Sequence, residues 1–294
     1  MRPVGCSLRP RYLRPRGLDE AVAALAAGGC TLLAGGTDVF PARVGRGPGH
    51  AFDDPVLDIT ALSDLRGIED AGDVWRLGAL ATWSDILRAP LPAAFDALKQ
   101  AAREVGGVQI QNAGTLAGNL CNASPAADGV PPLLALDAEV ELASSAGRRR
   151  LALDDFILGN RKTARRPEEL VTAILVPKSM ARARSRFEKL GARRYLIISI
   201  AMVATTLDID SAGRVAKARV AVGACAARAH RLPAVEAALT GAAFDGALPA
   251  RIDGASLAPL TPIDDLRGTA AYRREAVAAL IRRSLEALLI ERAA

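Results

Sequence analysis

Near the end of the chain, Ala271, Val277, Leu280, Ile281, Leu285, Leu288 and Leu289 recur at the spacing of one helix face. That period predicts a helix over 271–290 whose apolar stripe is core, not a cofactor site. Ahead of it, Phe187 to Leu190, Ile197 to Asp208 and Ala218 to Val222 read as strands, with a hairpin turn at Ser211, Ala212 and Gly213. Three antiparallel strands followed by helices at 233–239 and 271–290 predict a small α+β domain.

Upstream, Val56 to Ile59 and Asp73 to Leu77 read as strands, the latter with Val74 and Arg76 facing opposite to Trp75 and Leu77. Ala138 to Ala143 and Arg149 to Leu153 form a hairpin about Ser145 to Gly147, and Leu170 to Val176 is a last strand closed by Pro177. Between the strands, capping residues mark helices. After an extended lead-in from Arg11 to Arg16, Gly17 precedes a helix Leu18–Ala27 that Gly28 and Gly29 stop, with Asp19 and Glu20 at its positive end. Thr82 and Asp85 make a capping pair for a helix at 83–88. A longer helix runs from Ala93 to Glu104, and a short one covers Pro132 to Leu136. The basic, irregular stretch Lys178 to Arg184 reads as a linker.

Two glycine turns interrupt this pattern. In the first, Thr31 to Leu33 is a short strand, Ala34 to Thr37 a tight turn, and Asp38 to Ala42 a helix start with Pro41 in its first turn. The second packs small residues, two glycines and a hydroxyl between Ala113 and Asn119. Bare amides in such turns make concave anion sites, and Thr115 and Asn119 can add side-chain hydrogen bonds. The spacing is neither GxxxxGK[ST] nor GxGxxG, so another nucleotide cradle is needed. Two turns about eighty residues apart can grip both sides of a pyrophosphate where one turn alone grips less well.

At 294 residues, half of them hydrophobic, the chain can bury the cores of about two domains. Its formal charge of +6 comes mostly from scattered arginine. With only 4% aromatics, the basic runs at 148–150, 161–166 and 182–186 lack the stacking platform of a nucleic-acid binder, and read as solvated faces or contacts to an acidic partner. Cys6, Cys30, Cys121 and Cys225 form no CxxC pair, which argues against a zinc or iron–sulfur site in this chain and for a reducing cytoplasm. Cys121, inside the second turn, either lines a ligand site or is a small buried residue. No apolar run has signal-peptide or membrane-spanning length. No Ser–His–Asp, HExxH or paired-carboxylate arrangement is present, and His50 and His230 are the only histidines.

LLAGGTDVFP at 32–41, GTLAGN at 114–119, NASPAAD at 122–128 and FEKLGARR at 187–194 resemble the FAD-binding medium subunit of the molybdenum hydroxylases, the xanthine dehydrogenase and carbon monoxide dehydrogenase family. The resemblance covers nearly the whole chain, in the family's order. It implies an oxidoreductase subunit of α+β class. An FAD-binding domain of the vanillyl-alcohol-oxidase (PCMH) type would occupy residues 1–177, with subdomains at about 1–58 and 59–177. A linker at 178–184 and a C-terminal domain at 185–294 with a three-stranded sheet would follow.

The same resemblance assigns cofactor contacts. Leu32, Leu33, Ala34, Gly35, Gly36, Thr37, Asp38 and Val39 would wrap the FAD pyrophosphate and ribityl chain, and Gly114, Thr115, Leu116, Ala117, Gly118 and Asn119 would complete that grip, joined by Val171. Asp128 stands where relatives place an acid near the adenosine ribose; capping the helix at Pro132 is the other reading. Lys189 matches a lysine near the flavin, and Tyr195 either screens the flavin face or packs on a strand. His50, in a Gly/Pro loop without a partner, argues against covalent flavin attachment. Two positions depart from the family pattern: Ala117 replaces a glycine, which would be strained at positive φ, and Val105 replaces an aromatic that stacks on adenine. Molybdopterin would reside in a large partner subunit and [2Fe-2S] clusters in a small one, in a dimer of heterotrimers that passes electrons through FAD to NAD or another acceptor. A self-sufficient FAD-dependent oxidoreductase and a non-catalytic basic assembly protein are the alternatives.

Overall fold

The structure, a computed structural model, describes residues 12–44 and 54–293; His50 and Arg11 lie outside them. The first helix, Leu18–Ala26, follows an extended Gly17 and ends where Gly28 and Gly29 take φ of 74° and 67°. It buries Ala21, Val22 and Leu25. The strand Thr31–Leu33 then feeds the first glycine turn. The expected helix at Asp38 to Ala42 is instead a turn followed by a 3-10 helix, Pro41–Arg43. Phe40 donates to the Gly36 carbonyl at 3.1 Å and Ala42 to Asp38 at 3.2 Å, but Pro41 lacks the amide that would join these into a helix.

Among the described residues the strands form four sheets. Tyr12–Leu13, Val56–Asp58 and Thr31–Leu33 make a small parallel sheet with Val56–Asp58 at its centre. A five-stranded antiparallel sheet runs in the order Ile68–Ala71, Val74–Gly78, Leu170–Pro177, Glu139–Ser144, Gly147–Ala152. Its hairpin at Ser144–Gly147 lies where the sequence places it. A two-stranded ribbon joins Ile157–Gly159 to Lys162–Thr163. The C-terminal sheet has four strands, not three: Arg184–Leu190, Ala201–Ile209, Val215–Gly223 and His230–Arg231. The fourth is two residues long, too short for any periodicity to reveal.

Helix boundaries shift for similar local reasons. The helix expected from Ala93 begins as a 3-10 turn, Ala93–Phe95, before the α-helix Asp96–Glu104. The short helix expected at 132–136 is Val130–Leu134, with Pro131 and Pro132 in the first turn, where an amide has no intrahelical acceptor to lose. Trp83–Arg88 carries the capping box foreseen at Thr82 and Asp85. Strand Ala201–Ile209 starts later than the expected Ile197, because Arg193 donates to the carbonyls of Tyr195 and Leu196 at 3.0 and 2.6 Å and Leu196 sits at φ 55°.

The C-terminal sheet is buried on both faces, as period-two alternation allows. Met202 and Ala204 join the core that includes Trp83, Leu98 and Leu133. Ala201 and Val203 face a second core, shared with the long helix Ala270–Ala293 through Val277, Ile281, Leu285 and Leu288. The apolar stripe read from the sequence is therefore core, except that Ala271 at its start is exposed. No helix among the described residues is long and apolar enough to cross a membrane.

Candidate functional site

The two glycine turns touch. A Cβ placed on Gly35 would lie 1.9 Å from the Ala113 carbonyl oxygen, and one on Gly114 would lie 3.3 Å from Thr37 Oγ1. Only residues without side chains allow such an approach. Asn122 Nδ2 donates to Asp38 Oδ1 at 2.9 Å, adding a second link between the segments. The 114–116 stretch is in turn fastened to 81–83, with Trp83 N on the Gly114 carbonyl at 3.2 Å and Leu116 N on Ala81 at 3.0 Å.

Around this junction lies a cavity of about 630 Å³, within the range of cofactor sites. Its lining includes Leu32, residues 34–39, Gly114, Thr115, residues 117–119 and Val171. Leu33, Leu116, Asp128 and Lys189, also expected at the site, are not in that lining. Leu116 is fully buried beneath it. Polar and apolar parts are both present: the amides of Gly35 to Asp38 have no acceptor among the described residues, while Val105, Ile110, Trp83 and Leu170 supply apolar wall.

Side-chain roles differ in detail from expectation. Thr115 Oγ1 caps the helix Leu116–Asn122 by accepting from Gly118 N at 3.0 Å, and keeps its own proton to donate. Asn119 Oδ1 accepts from Gly129 N at 3.2 Å, so its carbonyl serves the fold and its amide group is what remains for a ligand. Ala117 lies inside the helix and is not among the positive-φ residues, so alanine there carries no strain. Cys121 lines the cavity and is exposed as a residue, while burial of its thiol pushes that group up to about 11, so each of its two readings holds in part. Arg161 and Arg165, from a run read as a solvated face, also line it, and Arg161 donates to Asn122 Oδ1. Trp83, Ile110 and Thr163 carried no sequence signal, because each belongs to the site only through the packing of distant elements.

Asp128 and Lys189 meet each other instead. Lys189 Nζ donates to Asp128 Oδ2 at 2.7 Å and Ser199 Oγ to Asp128 Oδ1 at 2.6 Å, both inside the protein. One carboxylate thereby staples both ends of the loop that carries Tyr195, Leu196 and Ile198, all exposed. Burial pushes the Asp128 carboxyl up, against the pull of Lys189 and Ser199. Tyr195 is on no strand; the Arg194 guanidinium stands 5.1 Å from its ring centre.

A second charged cluster ties the sheets together. Asp137 accepts from Arg219 Nε at 3.1 Å and Arg231 Nη1 at 2.5 Å, with Lys217 Nζ at 3.4 Å. Burial raises the Asp137 carboxyl, but these cations outweigh it and hold the group below the usual carboxylate range.

The chain is similar to known proteins over nearly its whole length. Residues 7–179 match the family model of the FAD binding domain in molybdopterin dehydrogenase, and 186–288 that of the CO dehydrogenase flavoprotein C-terminal domain. The chain is 31% identical over 287 residues to the nicotine 6-hydroxylase medium subunit of Paenarthrobacter nicotinovorans, spanning 94% of this chain and 95% of that one. It is 29% identical to the carbon monoxide dehydrogenase medium chain of Hydrogenophaga pseudoflava, over 95% and 96% of the two. The reconstituted CO dehydrogenase from Oligotropha carboxidovorans superposes with a TM-score of 0.85 at 28% identity, covering 94% of this chain and 96% of the other.

Proposed function

This chain belongs to the family of FAD-binding medium subunits of the molybdenum hydroxylases, and from that premise we propose that it relays electrons from [2Fe-2S] clusters of a small partner subunit to NAD or another acceptor. A large molybdopterin-containing partner hydroxylates the substrate, and the assembly is a cytoplasmic dimer of heterotrimers. The two family matches support a division at 178–184 between an FAD-binding domain and a C-terminal domain.

The observation that carries the reading is the contact at Gly35 and Ala113, which brings unsatisfied amides to one cavity. FAD, when bound, supplies the redox chemistry. The residues of the chain do the rest. Gly35, Gly36, Thr37 and Asp38 direct amide donors at the pyrophosphate, and Thr115 and the amide group of Asn119 complete the grip. Leu32, Ala34 and Val39 would wrap the adjoining chain of the cofactor, and Val171, with Val105 and Ile110, would exclude water along the apolar wall. Asp128 and Lys189 act at one remove, as a positioning pair that anchors the 190–199 loop. The cations Arg161 and Arg165 add attraction for the phosphates.

The test is to purify the chain alone and with its partner subunits. Bound FAD, released by acid in equal amount to the protein, is expected in both, and acceptor reduction by substrate only in the complex. A folded, assembled protein free of flavin sinks the proposal, and turnover by the chain alone favours the self-sufficient oxidoreductase.

A further inference from the structure

Among the described residues, the cavity at the glycine turns has Asp38 as the carboxylate of its lining and Arg161 and Arg165 as its cationic side chains. A diphosphate brings negative charge that main-chain amides meet only with neutral donors, so a cation beside it counts for much. Arg161 is engaged: it donates to Asn122 Oδ1, and Asn122 donates in turn to Asp38. Arg165 is half-buried and hydrogen-bonds to no carboxylate among the described residues. Its Nη1 donates to the carbonyls of Arg166, Pro167 and Glu169 at 3.0, 3.3 and 2.7 Å. That leaves Nε and Nη2 without an acceptor among those residues.

What fixes the loop under Arg165 lies outside the cavity. Arg149, on the edge strand Gly147–Ala152, is not in the lining, and neither is Glu169. Arg149 forks onto Glu169, Nε to Oε1 at 2.5 Å and Nη2 to Oε2 at 2.8 Å, and its Nη2 also donates to the Ala164 carbonyl at 2.9 Å. Glu169 is 3% exposed, and its Oε2 accepts from Arg166 N at 2.7 Å as well. One guanidinium therefore fastens both ends of the stretch 164–169 on which Arg165 stands. A lysine has the charge but not the planar fork. A desolvated ion pair is weak as a source of stability, so what this one supplies is a fixed loop. We infer that Arg149 and Glu169 are a positioning pair for the cofactor site: they hold the 164–169 loop so that the Arg165 guanidinium meets the FAD diphosphate. The inference rests on the FAD-binding reading and adds to it two residues that stand outside the cavity.

The test is titration of the flavin-stripped full chain with FAD, read by quenching of flavin fluorescence, with urea midpoints to verify folding. Arg165→Met is expected to weaken FAD by about tenfold or more and to flatten the dependence of Kd on salt. Arg149→Lys is expected to weaken FAD by about fivefold in a protein that stays folded, because the charge remains and the fork is lost. In the Arg165→Met background the same Arg149→Lys change is expected to alter Kd by less than about twofold, since its effect runs through Arg165. The flavin midpoint potential should not move in any of the three, because oxidised and reduced FAD carry the same diphosphate. An Arg149→Lys effect of equal size with and without Arg165 overturns the positioning role and leaves the pair merely structural. An Arg165→Met chain with unchanged Kd overturns the inference, as does a shifted potential with the affinity for oxidised FAD intact, which puts Arg165 at the ring. A folded wild-type chain without affinity for FAD overturns the cofactor reading and this inference together, so the two failures are distinguishable.

Discussion

At the paired glycine turns the donors are main-chain amides with no acceptors of their own, whereas at Asp128 and Asp137 the polar atoms are side chains with two or three partners each. The first region leaves donors unsatisfied and open to a cavity; the second satisfies its groups internally and joins the C-terminal sheet to the rest of the chain. Only proline removes a main-chain N–H, so every other substitution reaches the first region through added bulk. The second is vulnerable to lost charge and to pH. A binding site and a structural clamp can thus be told apart by where their hydrogen-bonding capacity ends up.

The largest break is expected from Gly35→Ala. Its methyl group would occupy the position of the Ala113 carbonyl, so the turns must separate, and FAD affinity should fall by about 100-fold or more. Flavin-to-protein ratio after dialysis, with circular dichroism to verify folding, measures it. On the clamp side, Asp128→Ala strands the buried Lys189 ammonium and should destabilise by about 3–5 kcal/mol in urea unfolding. The pair Asp128→Asn with Lys189→Met should recover to within about 1 kcal/mol, since no charge is then left unpaired. Little recovery would show that the carboxylate does more than match the lysine.

Asp137 gives the pH arm of the comparison. Its folded-state pKa lies below the ordinary value, so its stabilisation is fully present above the unfolded value near pH 4 and is lost as pH falls through the folded one. Asp137→Asn should lower stability by about 2 kcal/mol at pH 7 and flatten the acid limb of the stability curve, read by urea midpoints from pH 2 to pH 7. The smallest effect belongs to Ala117→Gly. Placing a glycine inside this helix should cost about 0.5–1 kcal/mol and leave FAD affinity unchanged; tighter flavin binding would mean that the alanine does hinder the cofactor.

Local chemistry made much of this legible before any coordinates. The capping box at Thr82 and Asp85, the hairpin at Ser145, the stop at Gly28 and Gly29, and both glycine turns are short-range features whose residues lie within a few positions of one another. The misses are long-range. Asp128 finds Lys189 at a separation of 61 residues and Ser199 at 71, and nothing in the neighbourhood of any of them announces the match. Trp83 and Ile110 reach the cavity by packing, and Arg161 and Arg165 looked like any exposed basic run. The strand His230–Arg231 exists because Ala221 and Val222 offer it an edge, not because of its own composition.

The fit of Gly35 against Ala113 also orders events in time. During synthesis the first loop leaves the ribosome about eighty residues ahead of the backbone that completes it. The cavity is therefore complete only once both turns have folded against each other, and a ligand held by both would report that this contact has formed.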